Sequence, residues 1–316
     1  MSKVVVISGH PDLEQSHTNK VILRELEKSI DGVDIRRLDD LYPDYQIDIE
    51  KEQAALLKAD AIVFQFPYYW YSVPALLKKW IDDVFAFNFA FGPEGDKLKG
   101  KQFILSLTIG GPEDSYRPLG YNHFTVEQTL HPLEQLAYLS NMNYQKPVYT
   151  HGMVYVPGVY NKLEDVQAKA QEHASRLVKQ IGASLHSAES QINQFVRKWF
   201  QQFDLLPEDD SFFVKQLEDD VVLDMIEGEF TGHAGFRDWY GDIRKLFKPN
   251  CVHDVRQVQI NDKDNGKYGI DLRIQLTAET FTGEVVDILV NEEWTVSLAS
   301  NSDISIKQYQ VKLVNS

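Results

Sequence analysis

Between Gln65 and Trp80 the chain reads QFPYYWYSVPALLKKW, and Tyr68, Tyr69, Trp70 and Tyr71 place four aromatic rings in one loop closed by Pro67 and Pro74. A solvent-facing turn gains nothing from such a cluster. The rings either cap a core or pack against something flat, and a planar ligand is the economical reading. A second candidate is Gly9-His10-Pro11-Asp12-Leu13-Glu14-Gln15-Ser16-His17-Thr18-Asn19, whose later residues offer hydroxyl, amide and imidazole groups at the start of a helix. Unpaired N–H groups and the positive end of the helix dipole point to the same place, which suits a phosphate. Ordinary capping of that helix by Ser16 or Thr18 is the alternative and accounts for Thr18, but not for a long polar loop that also holds His10 and His17. The third candidate is Thr108-Ile109-Gly110-Gly111-Pro112-Glu113-Asp114-Ser115-Tyr116. Paired glycines let backbone N–H groups approach the carbonyl edge of a ring, where negative charge gathers on reduction, and Tyr116 adds a phenol; a plain Gly-Gly-Pro turn is the alternative. No GxGxxG and no GxxxxGK[ST] occurs, which removes the dinucleotide and triphosphate loops.

The elements that must position these loops follow from periodicity. Residues 1–184 alternate apolar runs (Val4 to Ser8, Asp34 to Leu38, Ala61 to Phe66, Phe103 to Thr108, Pro147 to Tyr155) with helical patterns. The helices are expected at Asn19 to Ser29, Ile49 to Lys58, Pro74 to Val84, Val126 to Asn141 and Lys162 to Ile181. This is the pattern of a flavodoxin-like, five-stranded doubly wound parallel sheet, an α/β fold that binds ligands at the carboxyl ends of its strands. All three loops fall there. After Ile181 the segment GASLHSAES is small and polar, and the pattern changes. Residues 188–316 read as a second domain, α+β, with amphipathic helices at 191–204 and from Gly235 to Lys248. Long period-two runs from Val252 onward then indicate a curved antiparallel sheet.

A net charge of −15 and the lack of any basic run disfavour nucleic acid and anionic membranes as partners. The opening MSKVVVISGHPD enters a strand without a charged leader, and no apolar stretch approaches the ~20 residues of a membrane span. A cytoplasmic location without direct membrane insertion is expected. One cysteine, Cys251, excludes an internal disulfide and a cysteine-rich metal site, so no metal is expected; it reads as a small core residue or a reactive thiol.

His10 with Ser16 to Asn19, Gln65-Phe66-Pro67-x-x-Trp70 leading to Pro74-x-x-x-Lys78-x-Trp80, and Thr108-x-Gly110-Gly111 ending in Tyr116 resemble the flavodoxin-fold NAD(P)H:quinone oxidoreductases. The likeness is closest to bacterial quinone reductases and to the ancillary flavoproteins of glutathione-gated potassium efflux systems, and it covers residues 1 to about 182. It implies that Ser16, His17, Thr18 and Asn19 hold the flavin phosphate, with His10 nearby. Pro67, Tyr68, Trp70 and Tyr71, with Tyr69 in the same loop, would wall the flavin ring, while Thr108, Ile109, Gly110 and Gly111 contact its polar edge. Tyr116 corresponds to a tyrosine that stabilises the reduced ring. Its histidine partner in mammalian members falls where this chain has Asn122, so His123 is the candidate, against a plain surface histidine. Phe89 and Phe91, in the aromatic run Phe85 to Pro93, would border a substrate pocket shared across a homodimer. The implied reaction is ping-pong two-electron hydride transfer from NADPH or NADH to a quinone, or to a nitro or azo compound, through FMN, with FAD also used by related enzymes. The alternative is a regulatory flavoprotein docking on a potassium efflux or other membrane transport system.

The second domain is similar, by pattern more than motif, to the nuclear-transport-factor-2-like or polyketide-cyclase-like cone fold. That likeness implies a pocket, with Asp224, His233, Tyr240, His253 and Trp294 as candidate lining residues and an acid-base role open to Asp224 and His253.

Overall fold

The computed structural model describes residues 3–299 and 302–314. The chain divides into two compact units, Met1–Ser190 and Gln191–Ser316. The first runs β1 (Val4–Ser8), α1 (Asn19–Ser29), β2 (Asp34–Arg37), α2 (Leu38–Leu41), α3 (Ile49–Lys58), β3 (Ala61–Pro67), α4 (Ala75–Val84), β4 (Gln102–Thr108), α5 (Val126–Leu139), β5 (Asn143–Tyr144), β6 (Val148–Thr150) and α6 (Leu163–Leu185). Its sheet has the order β2-β1-β3-β4-β5, with β6 joining β4 beyond β5, and every pairing is parallel.

Every residue of β1, β3 and β4 is buried, so these strands read as apolar runs broken only by Ser8, Gln65, Gln102, Ser106 and Thr108. Their side chains still divide by parity. Ile7, Ile62, Phe64, Phe103 and Leu105 meet Leu77 and Trp80 of α4 and Leu130 of α5. Val4, Val6, Val63 and Ile104 meet Ile22 and Leu26 of α1 and Ala170 and Leu177 of α6. Each such side chain contributes roughly 1.5–3 kcal/mol of burial. One charged cluster sits inside the first face: fully buried Glu52 accepts from Arg36 Nε (2.7 Å), Trp80 Nε1 (3.0 Å) and Tyr42 Oη (2.5 Å), tying α3 to β2 and α4.

The fifth strand differs from the expected Pro147 to Tyr155. It is two short pieces, β5 and β6, interrupted at Gln145 to Pro147, because Pro147 has no N–H to give the ladder. Beyond Thr150 the chain leaves the sheet through Gly152, which holds φ +64°. The polar stretch after Ile181 is largely helical: α6 continues to Leu185, where Ser184 and Leu185 are buried, and the next helix starts at Ala188.

The second unit contains α7 (Ala188–Phe203, which begins at the junction), α8 (Ser211–Val214), β7 (Leu217–Met225), β8 (Gly228–Thr231), α9 (Gly232–Leu246), β9 (Val252–Asp262), β10 (Lys267–Glu279), β11 (Val285–Leu298) and β12 (Ile304–Leu313). The sheet order is β8-β7-β12-β11-β10-β9. It is mixed instead of wholly antiparallel, because β12 returns alongside β7 in parallel. Register shifts at Arg273/Ile274 and Thr295/Val296 mark bulges, which bend and twist strands. No helix among the described residues is long and apolar enough to cross a membrane.

Candidate functional site

The carboxyl ends of β1, β3, β4 and β6 carry a buried hydrogen-bond relay whose direction can be read atom by atom. Ser106 Oγ donates to Gln65 Oε1 (2.5 Å), so it must accept from His173 Nε2 (2.8 Å). The imidazole is thereby fixed as Nε2–H with a bare Nδ1, which accepts from Thr150 Oγ1 (2.8 Å). Thr150 Oγ1 in turn accepts from Arg176 Nη2. At the other end Gln65 Nε2 donates to Asn19 Oδ1 (2.8 Å), and Asn19 Nδ2 donates to Thr108 Oγ1 (3.0 Å) and Ser16 Oγ (3.3 Å). Burial and the nearby Arg176 charge push the His173 pKa down to about 3, so the ring stays neutral.

Every donor in this relay points the same way, and its free ends are the hydroxyl protons of Ser16 and Thr108. Ser16 Oγ also accepts from Asn19 N (3.0 Å), and it is this oxygen, not Thr18, that caps α1. The capping alternative therefore holds for Ser16 and not for Thr18, which makes no capping bond. Among the described residues the backbone N–H groups of His17, Thr18, Gly110 and Gly111 have no acceptor. Ser8 Oγ, at the end of β1, is buried without a partner. His10 lies buried with Nδ1 accepting from Asp12 N (3.1 Å), and burial lowers its pKa against the pull of Asp39 and Asp12. His17 is exposed and meets Tyr155 edge-on at 5.1 Å.

The aromatic loop is a tight turn in which Tyr69 and Ser72 exchange backbone bonds of 3.1 and 3.0 Å. Trp70 (φ +49°) and Tyr71 (φ +62°) occupy the left-handed region, which costs bulky residues about 1–3 kcal/mol each. Trp70 is 93% exposed. Tyr68 is buried at the end of Pro67, its hydroxyl bonds Thr129 Oγ1, and burial pushes its pKa to about 12. Tyr71 Oη donates to Asn122 Oδ1 (3.0 Å). Tyr116 lies 6.2 Å from Tyr68 by ring centre and rests on Gly111, where an added Cβ would come within 3.2 Å of its ring. Gly110 faces only Val154 at ordinary contact distance. Ile109 is fully buried, and its N–H goes to Thr150 O (2.9 Å). Burial raises the Tyr116 pKa, aided by the Tyr71 phenol and opposed by a bond to Asn122.

Two expectations need adjustment. His123 sits exposed in a left-handed turn; the imidazole against Tyr116 is that of His151, with ring centres 5.1 Å apart. His151 follows β6, its pKa is lowered by burial, and its Nδ1 is buried without a partner. Phe89 is buried in the core, whereas Phe91 and Phe87 are exposed and meet edge-on at 5.9 Å, so of the expected pair only Phe91 is available to a pocket.

Four N–H groups without an acceptor and the hydroxyl protons of Ser16 and Thr108 therefore gather at the carboxyl edge of the sheet, beside the aromatic turn. Such a donor set fits a phosphate and the polar rim of a planar heterocycle. No group of three or more metal-ligating side chains occurs among the described residues.

In the second unit a cavity of about 110 Å³ is walled by Phe203, Met225, Trp239, Ile243, Ile288 and Val290, and reached by His253 and Glu292. Asp224 is not part of it: that side chain is exposed and bonds Gln310 Nε2. His233 Nε2 bonds Leu217 O (3.0 Å), Tyr240 Oη donates to Pro207 O (3.0 Å), and Trp294 is core.

Comparisons with known proteins bear on the first unit. A protein-family model described as flavodoxin-like fold matches residues 2–179. An uncharacterized NAD(P)H oxidoreductase of Bacillus subtilis (strain 168) is 46% identical over 142 residues, 45% of this chain and 72% of its own length. A glutathione-regulated potassium-efflux system ancillary protein of Enterobacter sp. (strain 638) is 39% identical over 175 residues, 55% of this chain and 95% of its own. The crystal structure of general stress protein 14 from Treponema denticola, in complex with FMN, superposes with a TM-score of 0.52 at 28% identity, covering 58% of this chain and 99% of that one.

Proposed function

The chain belongs to the flavodoxin-like fold family, and on that premise we propose that it is a flavin-dependent NAD(P)H:quinone oxidoreductase. The observation that carries the proposal is the set of unpaired donors and acceptors at one sheet edge, beside an aromatic turn held in a costly backbone conformation. Bound there, a flavin supplies two-electron hydride exchange between a nicotinamide donor and a quinone, nitro or azo acceptor.

The protein's residues hold and orient it. Ser16, Thr18 and the N–H groups at His17 and Thr18 take the phosphate, with Asn19 positioning Ser16, and FMN, the ligand of the Treponema neighbour, suits this compact loop. His10 stays neutral beside it. Pro67, Tyr68, Tyr69, Trp70 and Tyr71 wall the ring, while Thr108 and the N–H groups of Gly110 and Gly111 donate to its polar rim. The raised pKa of Tyr116 keeps its proton near neutral pH, where it donates to negative charge on that rim, with His151 in place of His123 as its neighbour. Exposed Phe87, Phe91, Tyr121 and Phe124 support a homodimer that covers the site. Residues 1–184 form the reductase domain. Residues 188–316 form a nuclear-transport-factor-2-like cone, supported by the order of helices, hairpin, helix and bulged sheet.

Purified protein should be yellow, lose its band near 450 nm on anaerobic NADPH and regain it on adding menadione. Colourless, folded protein that takes up neither FMN nor FAD overturns the proposal. The efflux-system relative supports a second reading, a regulatory subunit on a membrane transporter. Co-purification with such a transporter, together with slow quinone turnover, would favour it.

A further inference from the structure

Along β11 the side chains facing the core are Val286, Ile288, Val290, Glu292, Trp294 and Val296. Glu292 breaks an otherwise apolar stripe, and it is wholly enclosed. An apolar residue there would avoid the desolvation of a carboxyl, and departures of this kind concentrate at working sites. Its carboxyl accepts from Trp294 Nε1 (2.9 Å) and from the Tyr309 phenol, yet the residue still lines the cavity.

The second polar group at this cavity is His253. Its Nδ1 donates to Asp204 Oδ1 (2.6 Å), and the same oxygen accepts from the His253 backbone N (3.1 Å). Nε2 is thereby left as the ring nitrogen open to a ligand. The imidazole stacks on Phe200 (ring centres 4.9 Å, 24°), whose other neighbour is Trp294 (5.6 Å). His253 pairs with Leu276 and Leu276 with Ile288, so Glu292 lies four residues further along β11, about 13 Å of strand. The walls between are apolar. Ile226 and Glu227, in the turn between β7 and β8, also line the cavity, as do Cys251 and Tyr309, and Glu227 accepts from Trp239 Nε1 (3.1 Å).

From this arrangement we infer that the second unit binds a neutral, single-ring hydroxyaromatic compound of the hydroquinone class, with its hydroxyls directed at His253 Nε2 and at the Glu292 carboxyl. Size sets the ring count: a cavity of about 110 Å³ is of the order of the roughly 150 Å³ apolar cavity that admits benzene. Polarity sets the substituents, since a hydroxyl both donates to an imidazole nitrogen and pairs with a carboxyl in either protonation state. Charge sets neutrality. An ion of either sign would have to be desolvated between apolar walls, beside an enclosed carboxyl whose pKa burial raises to about 8 and which therefore carries little charge at neutral pH. The inference does not rest on the flavin reading of the first unit.

The experiment is calorimetric titration of the full chain with hydroquinone under argon, with 1,4-dimethoxybenzene, benzoate and benzylammonium as comparators. One saturable site in the second unit is expected, separate from any binding of hydroquinone at the first unit, with dimethoxybenzene at least tenfold weaker and the two ions weaker still. Val290→Phe, which fills the cavity, should abolish binding. Glu292→Leu should erase the preference for hydroquinone over dimethoxybenzene, a change of selectivity that a purely structural carboxyl would not produce. Trp70→Ala, in the first unit, should leave the affinity within twofold. No binding, tighter binding of benzylammonium, unchanged selectivity in Glu292→Leu, or loss of the site in Trp70→Ala overturns the inference. If Val290→Phe lacks a cooperative unfolding transition, the selectivity of Glu292→Leu decides alone.

Discussion

Holding His173 neutral inside the first unit has a measurable linkage to pH. The free imidazole titrates near 6.5 and the folded one near 3, so between these values the unfolded chain binds a proton that the folded chain refuses. Stability from this site is therefore complete above about pH 6.5, declines as pH falls through 6.5, and levels off only near pH 3. At 1.36 kcal/mol per unit, the loss between pH 7.5 and pH 5 comes to about 2 kcal/mol, or roughly 30-fold in the unfolding equilibrium. Other groups titrate over the same range, so the informative quantity is the difference from His173→Gln. The amide can donate to Ser106 and accept from Thr150 as the imidazole does, but it has no proton to gain. Hydrogen exchange of peptides from β4 and α6 would report opening of the first unit directly. The protection of the wild-type protein should fall about 30-fold more than that of the variant between pH 7.5 and pH 5. Parallel curves would show that the imidazole charges freely in the fold, and the relay direction derived from its tautomer would fail with it.

Removing the Ser16 hydroxyl in Ser16→Ala should weaken FMN about 10- to 100-fold, the usual worth of a hydrogen bond to a charged group, as read by flavin fluorescence; unchanged affinity would remove the loop from phosphate binding. Tyr116→Phe should slow flavin reduction about tenfold in stopped-flow single turnovers while flavin stays bound, and an unaltered rate would remove Tyr116 from the chemistry. Glu52→Gln leaves the buried Arg36 guanidinium with only the exposed Asp34 carboxylate, at 3.5 Å, as counter-charge and should cost about 3 kcal/mol in urea unfolding of the first unit, whereas a loss below about 1 kcal/mol would mean that solvent reaches the pair.

What could be read in the sequence follows from how local each signal was. The strands β1, β3 and β4 were legible because burial on both faces leaves few polar interruptions, Gln65 and Ser106 among them, and the three loops followed because sheet topology fixes where strand ends gather. The split fifth strand was harder. Its residues are mostly half-buried, and Pro147 divides a run that looks continuous. β7 was hidden by its acidic outer face, although Val221, Leu223 and Met225 mark the inward parity and place Asp224 outward, a signal that was there to be used. His151 and His173 were not legible at all. The first matters through a ring 35 residues earlier in the chain, and the second bonds Ser106 across 67 residues, distances at which only the folded topology brings groups together. Glu292 was legible in principle as the one charged position on the inward parity of β11, Asp287 and Glu293 falling on the outward one.

The turn at Tyr69 to Ser72 separates two kinds of selection. Trp70 projects almost entirely into solvent from a backbone position that glycine or asparagine would occupy with less strain, so its ring is no part of what keeps the unit folded. Exchanges at this position should therefore be nearly free of structural penalty and still reshape whatever docks above the sheet. A scaffold that keeps its outermost ring outside the core can drift toward new acceptors one residue at a time, and libraries confined to Trp70 would sample those acceptors without eroding the fold.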